Sequence, residues 1–285
     1  MDVVVQGLLL GGLYATAALG LSLVFGTMRL VNLAHGQFLV VGAYLTSILV
    51  SIIGGDPLLL AIPVALVVGL LAYPIQRYIF TPVMAQGEEA PITAAFGVGL
   101  AIQTILILVF SSDPKSLTAP YATAQLNLFG IPINVSLLIA TAIGIAIVII
   151  LTFVLKRTPF GRQVRAASLD AEAAGLVGID VKKTYARVMA ISAATASIGG
   201  VLVAMSFAIA PSSGTGWLLR AFTVVVIGGL GSLPGTIYGG LIVGLVESVG
   251  AVTIGPQYRD LVVFGVLVII LIVRPNGLFT KAVRA

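Results

Sequence analysis

The chain has 285 residues, 59% of them hydrophobic and 9% charged, with a mean hydropathy of +1.16. A soluble domain carries about 25% charge, so a water-soluble core of this size is excluded, and the lack of cysteine excludes disulfides and thiolate metal sites. The net charge of +5 lies in short loops between apolar runs, which is the positive-inside pattern of a membrane protein rather than a surface for nucleic acid.

About twenty apolar residues cross a bilayer as a helix. Runs of that length recur along the chain, continuous rather than alternating, so helices are expected and a barrel is not. The first covers residues 3–25; it has no basic n-region and is read as a retained span. The break GTMRLVNLAHG follows, with Arg29, Asn32 and His35. Spans two to six are expected at 37–53, 58–76, 92–110, 133–155 and 188–210. RYIFTPVMAQGEEAP is a polar turn after the third, and a longer loop follows the fourth. Residues 219–230 are short for a crossing, GLGSLPG interrupts them, and runs at 236–252 and 260–273 close the chain. The expectation is an all-α polytopic helical bundle of eight or nine spans, forming one membrane domain over 1–285.

Arg29, Arg77, the 156–187 cluster, Arg274, Lys281 and Arg284 belong to the cytoplasmic side, and Asp2, Asp56 and Asp113 to the outside. The N-terminus is then external. The C-terminus is cytoplasmic if 219–230 crosses. VFGTMRLVNLAHGQFLVVGAYL and VIGGLGSLPGTIYGGLIVGL share an order of apolar helix, Gly-rich break and glycine-spaced helix, which can be read as a two-fold internal repeat with broken helices.

No G-x-x-x-x-G-K-[ST], H-E-x-x-H or G-x-S-x-G motif occurs, so the chain itself neither hydrolyses ATP nor offers a hydrolytic centre. Gly231, Gly235 and Gly239 recur every four residues, and Gly240 and Gly244 continue a second row, the spacing of close helix packing. Glu247 lies within a span, where a carboxylate is either functional or paired with a neighbour. Asn32 and His35 either cap the second span or line a path, with Gln37 beside them. Gln103 is a polar group in an apolar run.

The stretch GRQVRAASLDAEAAGLVGID differs from all this. Residues 156–187 hold seven of the fifteen basic and three of the ten acidic residues. As one helix, Val164, Ala167, Ser168, Ala171, Ala174 and Gly175 share a narrow small-residue face, leaving Arg162, Arg165, Asp170 and Glu172 to water or to a partner. A smooth cytoplasmic helix of this kind suits docking in another protein's groove.

RLVNLAHGQFLVVGAY, GRQVRAASLDAEAAGLVGI, AFTVVVIGGLGSLPGTIYGGLIVGLVES and RPNGLF, in this order over essentially the whole chain, resemble the branched-chain amino-acid ABC importer permeases of the LivH type. Glu172, Ala173 and Ala174, with Gly175 and Gly178 beyond, resemble the Glu-Ala-Ala coupling loop that docks on the ATP-binding subunit, although the spacing after them departs from that of other importers. The resemblance implies a second permease subunit (LivM-like or another copy), two ATP-binding cassette subunits and a periplasmic or extracellular substrate-binding protein. It also implies the inner membrane of a bacterium or archaeon, no cofactor in this chain, ATP used by the partners, and alternating access. Permeases for urea, short amides or other amino acids look much the same. An ion-coupled secondary transporter or a channel would not need the docking segment.

Overall fold

The computed structural model describes every residue except Met1, Glu88, Phe129, Pro275, Asn276 and 280–285. Lys281 and Arg284, expected on the cytoplasmic side, lie outside the described residues. Among the described residues, eight helices are long and apolar enough to cross a membrane. In chain order the helices are α1 (Asp2–Met28), α2 (His35–Ile53), α3 (Pro57–Pro74), α4 (Thr81–Met84), α5 (Glu89–Phe110), α6 (Val135–Arg157), α7 (Pro159–Leu169), α8 (Ala171–Leu176), α9 (Val181–Ser206), α10 (Gly214–Gly228), α11 (Leu233–Thr253) and α12 (Arg259–Val273).

Polar residues set the helix starts. Asp56, Asn134, Thr158, Asp180 and Ser232 each turn a side-chain oxygen onto a backbone N–H in the first turn of α3, α6, α7, α9 and α11, replacing one of the bonds a helix start lacks. Positive-φ glycines, Gly54 (75°) and Gly229 (97°), stop α2 and α10.

Two segments depart from what the sequence predicts. The polar turn expected after the third span is largely helical: α3 runs on through a π-helical turn (Ile75–Phe80) into α4. The Thr81 N–H bonds back to the Gln76 carbonyl, an i→i−5 step just before Pro82. Proline has no N–H and crowds the carbonyl four residues back, so widening the turn keeps the helix continuous. The loop after α5 contains an antiparallel hairpin, β1 (Gln125–Leu128) with β2 (Ile131–Asn134), around Gly130 at φ 81°. There the Tyr121 hydroxyl donates to Asp56 Oδ1 at 2.6 Å. Burial, then that bond, raises its pKa above the ordinary tyrosine value.

α1 is the axis of the bundle, packed by α6, α9, α10 and α11. Its inner half is almost wholly buried, whereas α3, α5, α6 and α12 present exposed apolar faces such as Leu66, Leu108, Ile149 and Ile272. Side-chain hydroxyls fasten it: Thr16 donates to Ala140 O (3.0 Å), Thr141 to Leu9 O (3.2 Å) and Ser192 to Gly20 O (2.7 Å).

Contacts fix the path of the short segment. α9 finishes at the hairpin end, where Ser206 meets Ser136 (3.0 Å) and Ile209 bridges Lys115. α11 starts at the other end, where Gly231 faces Gly26 near the C-terminus of α1. The chain between them therefore traverses the bundle, α10 supplying about 22 Å of the path at 1.5 Å per residue. That makes nine crossings, eight by long helices, and puts the starts of α1 and α12 at the hairpin end.

Two helices begin inside the bundle rather than at its surface. Residues 29–34 turn back from the end of α1, through Arg29 at φ 51°, and α2 starts where His35 Nε2 donates to Ala17 O (2.8 Å), near the middle of α1. α10 starts beside it: a methyl group on Gly36 would stand 2.0 Å from the Gly214 carbonyl. The two stretches with similar order in the sequence, α1–α2 and α10–α11, thus each turn at the same end, and their breaks meet at Gly26 and Gly231.

Candidate functional site

The polar stretch is two helices, not one. At Asp170 the backbone opens to φ −153°, ψ 110°, and the Asp170 carboxylate accepts from the N–H groups of Glu172 and Ala173, both at 2.9 Å. A carboxylate in that position ends α7 and starts α8. The Ile179 N–H reaches the Ala174 carbonyl and Gly178 takes φ 87°, closing α8 with the left-handed turn that glycine favours.

The expected small-residue face is divided, with Ala171 and Gly175 exposed and half of it turned inward. Val164, Ala167 and Ala174, members of the small-residue face, point into the bundle, where the Tyr185 hydroxyl donates to the Ala167 carbonyl at 3.2 Å. Gly161 lies so close to α6 that a methyl there would meet Leu155 O at 2.1 Å. The surface left outward carries Leu169, Leu176 and Val177, at 87%, 86% and 77% exposure, ringed by Arg162, Asp170, Glu172 and Ala173. Arg165 is also exposed and donates to Leu155 O. Gly175 and Gly178 have open space above them. Three apolar knobs among charges stand on the outer side of this segment, with none of the described residues covering them.

The glycine rows have separate partners. Gly240 and Gly244 face α1, where methyl groups would come to 2.5 Å of Gly11 O and 2.2 Å of Gly11 N. Gly235 and Gly239 face α10, at 2.1 Å from Gly228 O and 2.3 Å from Val224 O. Gly231 is not on that helix face; it sits in the break before α11 at φ 79°.

The polar residues inside the spans form three groups. Asn32 and His35 are fully buried in the first break. The Asn32 side chain accepts from Ala34 N (3.0 Å) and its amide approaches Met189 Sδ (3.4 Å). His35 ties α2 to α1 through Ala17, so neither gives α2 a side-chain cap. Gln37 and Gln103 pair at 3.1 Å and line a groove between α2, α5 and α10.

Glu247 stands apart from both. It is 3% exposed and accepts from the Tyr14 hydroxyl at 2.8 Å. Tyr14 packs edge-on to Trp217 at 5.8 Å, Arg220 lies 5.7 Å from the Trp217 ring centre, and Arg220 pairs with Asp260 at 2.5 Å. Sequence reasoning misses Tyr14, Trp217, Arg220 and Asp260. The available signal is Arg220 itself, an ionisable group in an apolar segment.

Tyr14→Phe leaves a buried carboxylate without its donor, at a cost of about 1–3 kcal/mol, whereas Glu247→Gln keeps an acceptor for the tyrosine. Glu247→Gln is expected to insert normally and lower transport. The Tyr14→Phe/Glu247→Gln double variant is expected to lose less than the two single losses added. Additive losses in an uptake assay would show that the two groups act independently.

Nine crossings around a central helix, with two helices starting inside the bundle and a charged appendage at one end, are the architecture of a polytopic membrane protein. Residues 3–271 match the family described as branched-chain amino acid transport system, permease component. The chain is 31% identical to the high-affinity branched-chain amino acid transport system permease protein BraD of Pseudomonas aeruginosa, over 97% of this chain and 94% of that one. It is 30% identical to the probable branched-chain amino acid transport permease protein LivH of Methanocaldococcus jannaschii, over 81% and 75%. Among solved structures, PsaBC from Streptococcus pneumoniae in complex with Fab has a chain of the same fold, with a TM-score of 0.52 and 19% identity over 96% of this chain and 91% of that one. The chain belongs to the branched-chain amino acid transport permease family.

Proposed function

We propose that this protein is the membrane-spanning subunit of an ATP-driven importer that carries branched-chain amino acids inward by alternating access. The observation that carries the reading is the family match over residues 3–271. The proposed assembly has a second permease subunit (LivM-like or a second copy), two ATP-binding cassette subunits and an external substrate-binding protein. This chain then holds no cofactor and catalyses no reaction, because ATP is used by the partners. Residues 1–285 act as one permease domain whose coupling segment is α7–α8. The exposed Leu169, Leu176 and Val177 support that role, since three apolar side chains on a charged end gain by burial against a partner.

The test is reconstitution of the complex in proteoliposomes with labelled leucine and valine. Uptake that needs both ATP and the binding protein supports the reading. Flux without ATP would make the chain a channel, and uptake of urea or short amides in place of leucine would move it to a sister class.

We also propose that the α7–α8 end is cytoplasmic, with the N-terminus outside. That end gathers Arg29, Arg77, Arg162, Lys182, Lys183 and Arg274, whereas Asp2, Asp56 and Asp113 lie at the hairpin end. No native cysteine interferes with labelling. Asp113→Cys is expected to react in whole cells with an impermeant thiol reagent and Arg162→Cys only after permeabilisation; the opposite result would invert the topology.

A further inference from the structure

The groove between α2, α5 and α10 has features of a small-molecule site. It is a half-open groove of about 200 Å3, lined by Leu33, Phe96, Leu100, Leu218 and Leu219 around Gln37 and Gln103. Two helix N-termini converge on it, those of α2 and α10, meeting at Gly36 and Gly214. Neither is closed by a side-chain cap; the His35 and Gln37 N–H groups bond the Asn32 and Ala34 carbonyls, and α10 continues a 3-10 turn (Pro211–Ser213), so it is the helix dipoles that favour an anion there. Gln37 lies on Gly214, where a methyl group would come to 2.5 Å of its Nε2. It spends Nε2 on Gln103 and leaves Oε1 buried with no partner among the described residues. A buried acceptor of this kind costs about 1–3 kcal/mol unless something fills it.

The surroundings decide what fills it. A part-buried amide pair with an unpartnered oxygen is a poor surface for lipid tails. A face of this composition belongs against a second permease subunit or a wet path. Broken-helix transporters place their cargo where such half-helix N-termini converge.

We infer that this groove is a transient binding site for the branched-chain amino acid on its way through the permease, an inference that rests on the importer reading above. The α-carboxylate sits at the α10 N-terminus, the ammonium donates to Gln37 Oε1, and the aliphatic side chain lies against Phe96, Leu100 and Leu218. The site adds a second check on side-chain size after capture by the external protein.

The experiment measures leucine, alanine and phenylalanine uptake by the assembled transporter. Gln37→Met keeps side-chain length and removes the acceptor. It is expected to lower the maximal leucine rate about tenfold, since a lost buried bond is worth about one decade, with the half-saturating concentration unchanged because capture precedes this step. Leu100 is 47% exposed, so it can be enlarged or trimmed without disturbing the core, and its variants decide the question if the Gln37 variant fails to assemble. Leu100→Trp should cut leucine uptake about tenfold more than alanine uptake, and Leu100→Ala should raise phenylalanine relative to leucine. If the wild type carries leucine and the Leu100 variants keep binding-protein-stimulated ATP hydrolysis with unchanged uptake ratios, the groove is not on the path and the importer reading stands. If the assembled wild type carries no branched-chain amino acid, both fall together.

Discussion

Gly244→Leu is expected to abolish the folded permease. A single carbon added there would stand 2.2 Å from Gly11 N and 2.4 Å from Gly7 O. These are backbone atoms of the central helix, which have no rotamer to escape into. Overpacking costs about 1–3 kcal/mol where side chains can shift, and more where they cannot. With total stabilities of about 5–15 kcal/mol, separating α1 from α11 removes a large share, because α1 is packed from four sides. Gly265→Leu is the matched control, since open space surrounds that glycine on α12. Monodisperse protein after detergent extraction is expected from Gly265→Leu and not from Gly244→Leu. Equal yields would mean that α1 and α11 do not pack as described.

Leu169→Asp/Leu176→Asp is expected to detach the ATP-binding subunit while leaving the permease intact. Burying one leucine is worth about 1.5–3 kcal/mol. Losing two, and burying charge in their place, lowers docking affinity by about two decades or more. Both side chains are nearly fully exposed, so the fold itself does not suffer. Gly175→Trp tests the same face by overfilling, because none of the described residues occupies the space above it. Pull-down of the ATP-binding subunit together with coupled ATP hydrolysis checks both. Retention of both activities in all of these variants would make α7–α8 a solvated loop.

The long spans are legible because lipid demands about twenty apolar residues in a row and the chain supplies them. The parts that escape are those where one residue changes the geometry. On a continuous helical wheel Asp170 is one more charge, but as a cap it ends one helix and starts another. Val164, Ala167 and Ala174 still turn inward together, whereas Ala171 and Gly175, placed on the same face by the wheel, are exposed. Pro82 marks a stop in the sequence, yet a π turn carries the helix past it. Arg220 is hidden by the shortness of its segment, and only the structure pairs it with Asp260 and sets it beside Trp217, Tyr14 and Glu247. Gln37 and Gln103 lie 66 residues apart, and no local pattern joins them. Glycine spacing of four signals a close neighbour without naming it, which is why two rows on one helix have different partners.

The central position of α1 has a consequence for biogenesis. It leaves the ribosome before every helix that packs on it, and its partner across the Tyr14–Glu247 bond arrives 233 residues later. At about 5–20 residues per second of synthesis, that is a wait of roughly 10–50 s. During this time α1 stands in the bilayer with its glycine seam turned to lipid or to an insertase. Its backbone is satisfied within the helix, so it persists, and association with α6, α9 and α11 comes in order as each emerges. A helix that must be stable alone before it becomes the axis of the assembly combines a lipid-compatible sequence with a seam that adheres to nothing until α11 is made. A truncated chain ending before α11 is left with that seam uncovered, the state in which membrane quality-control proteases would find it.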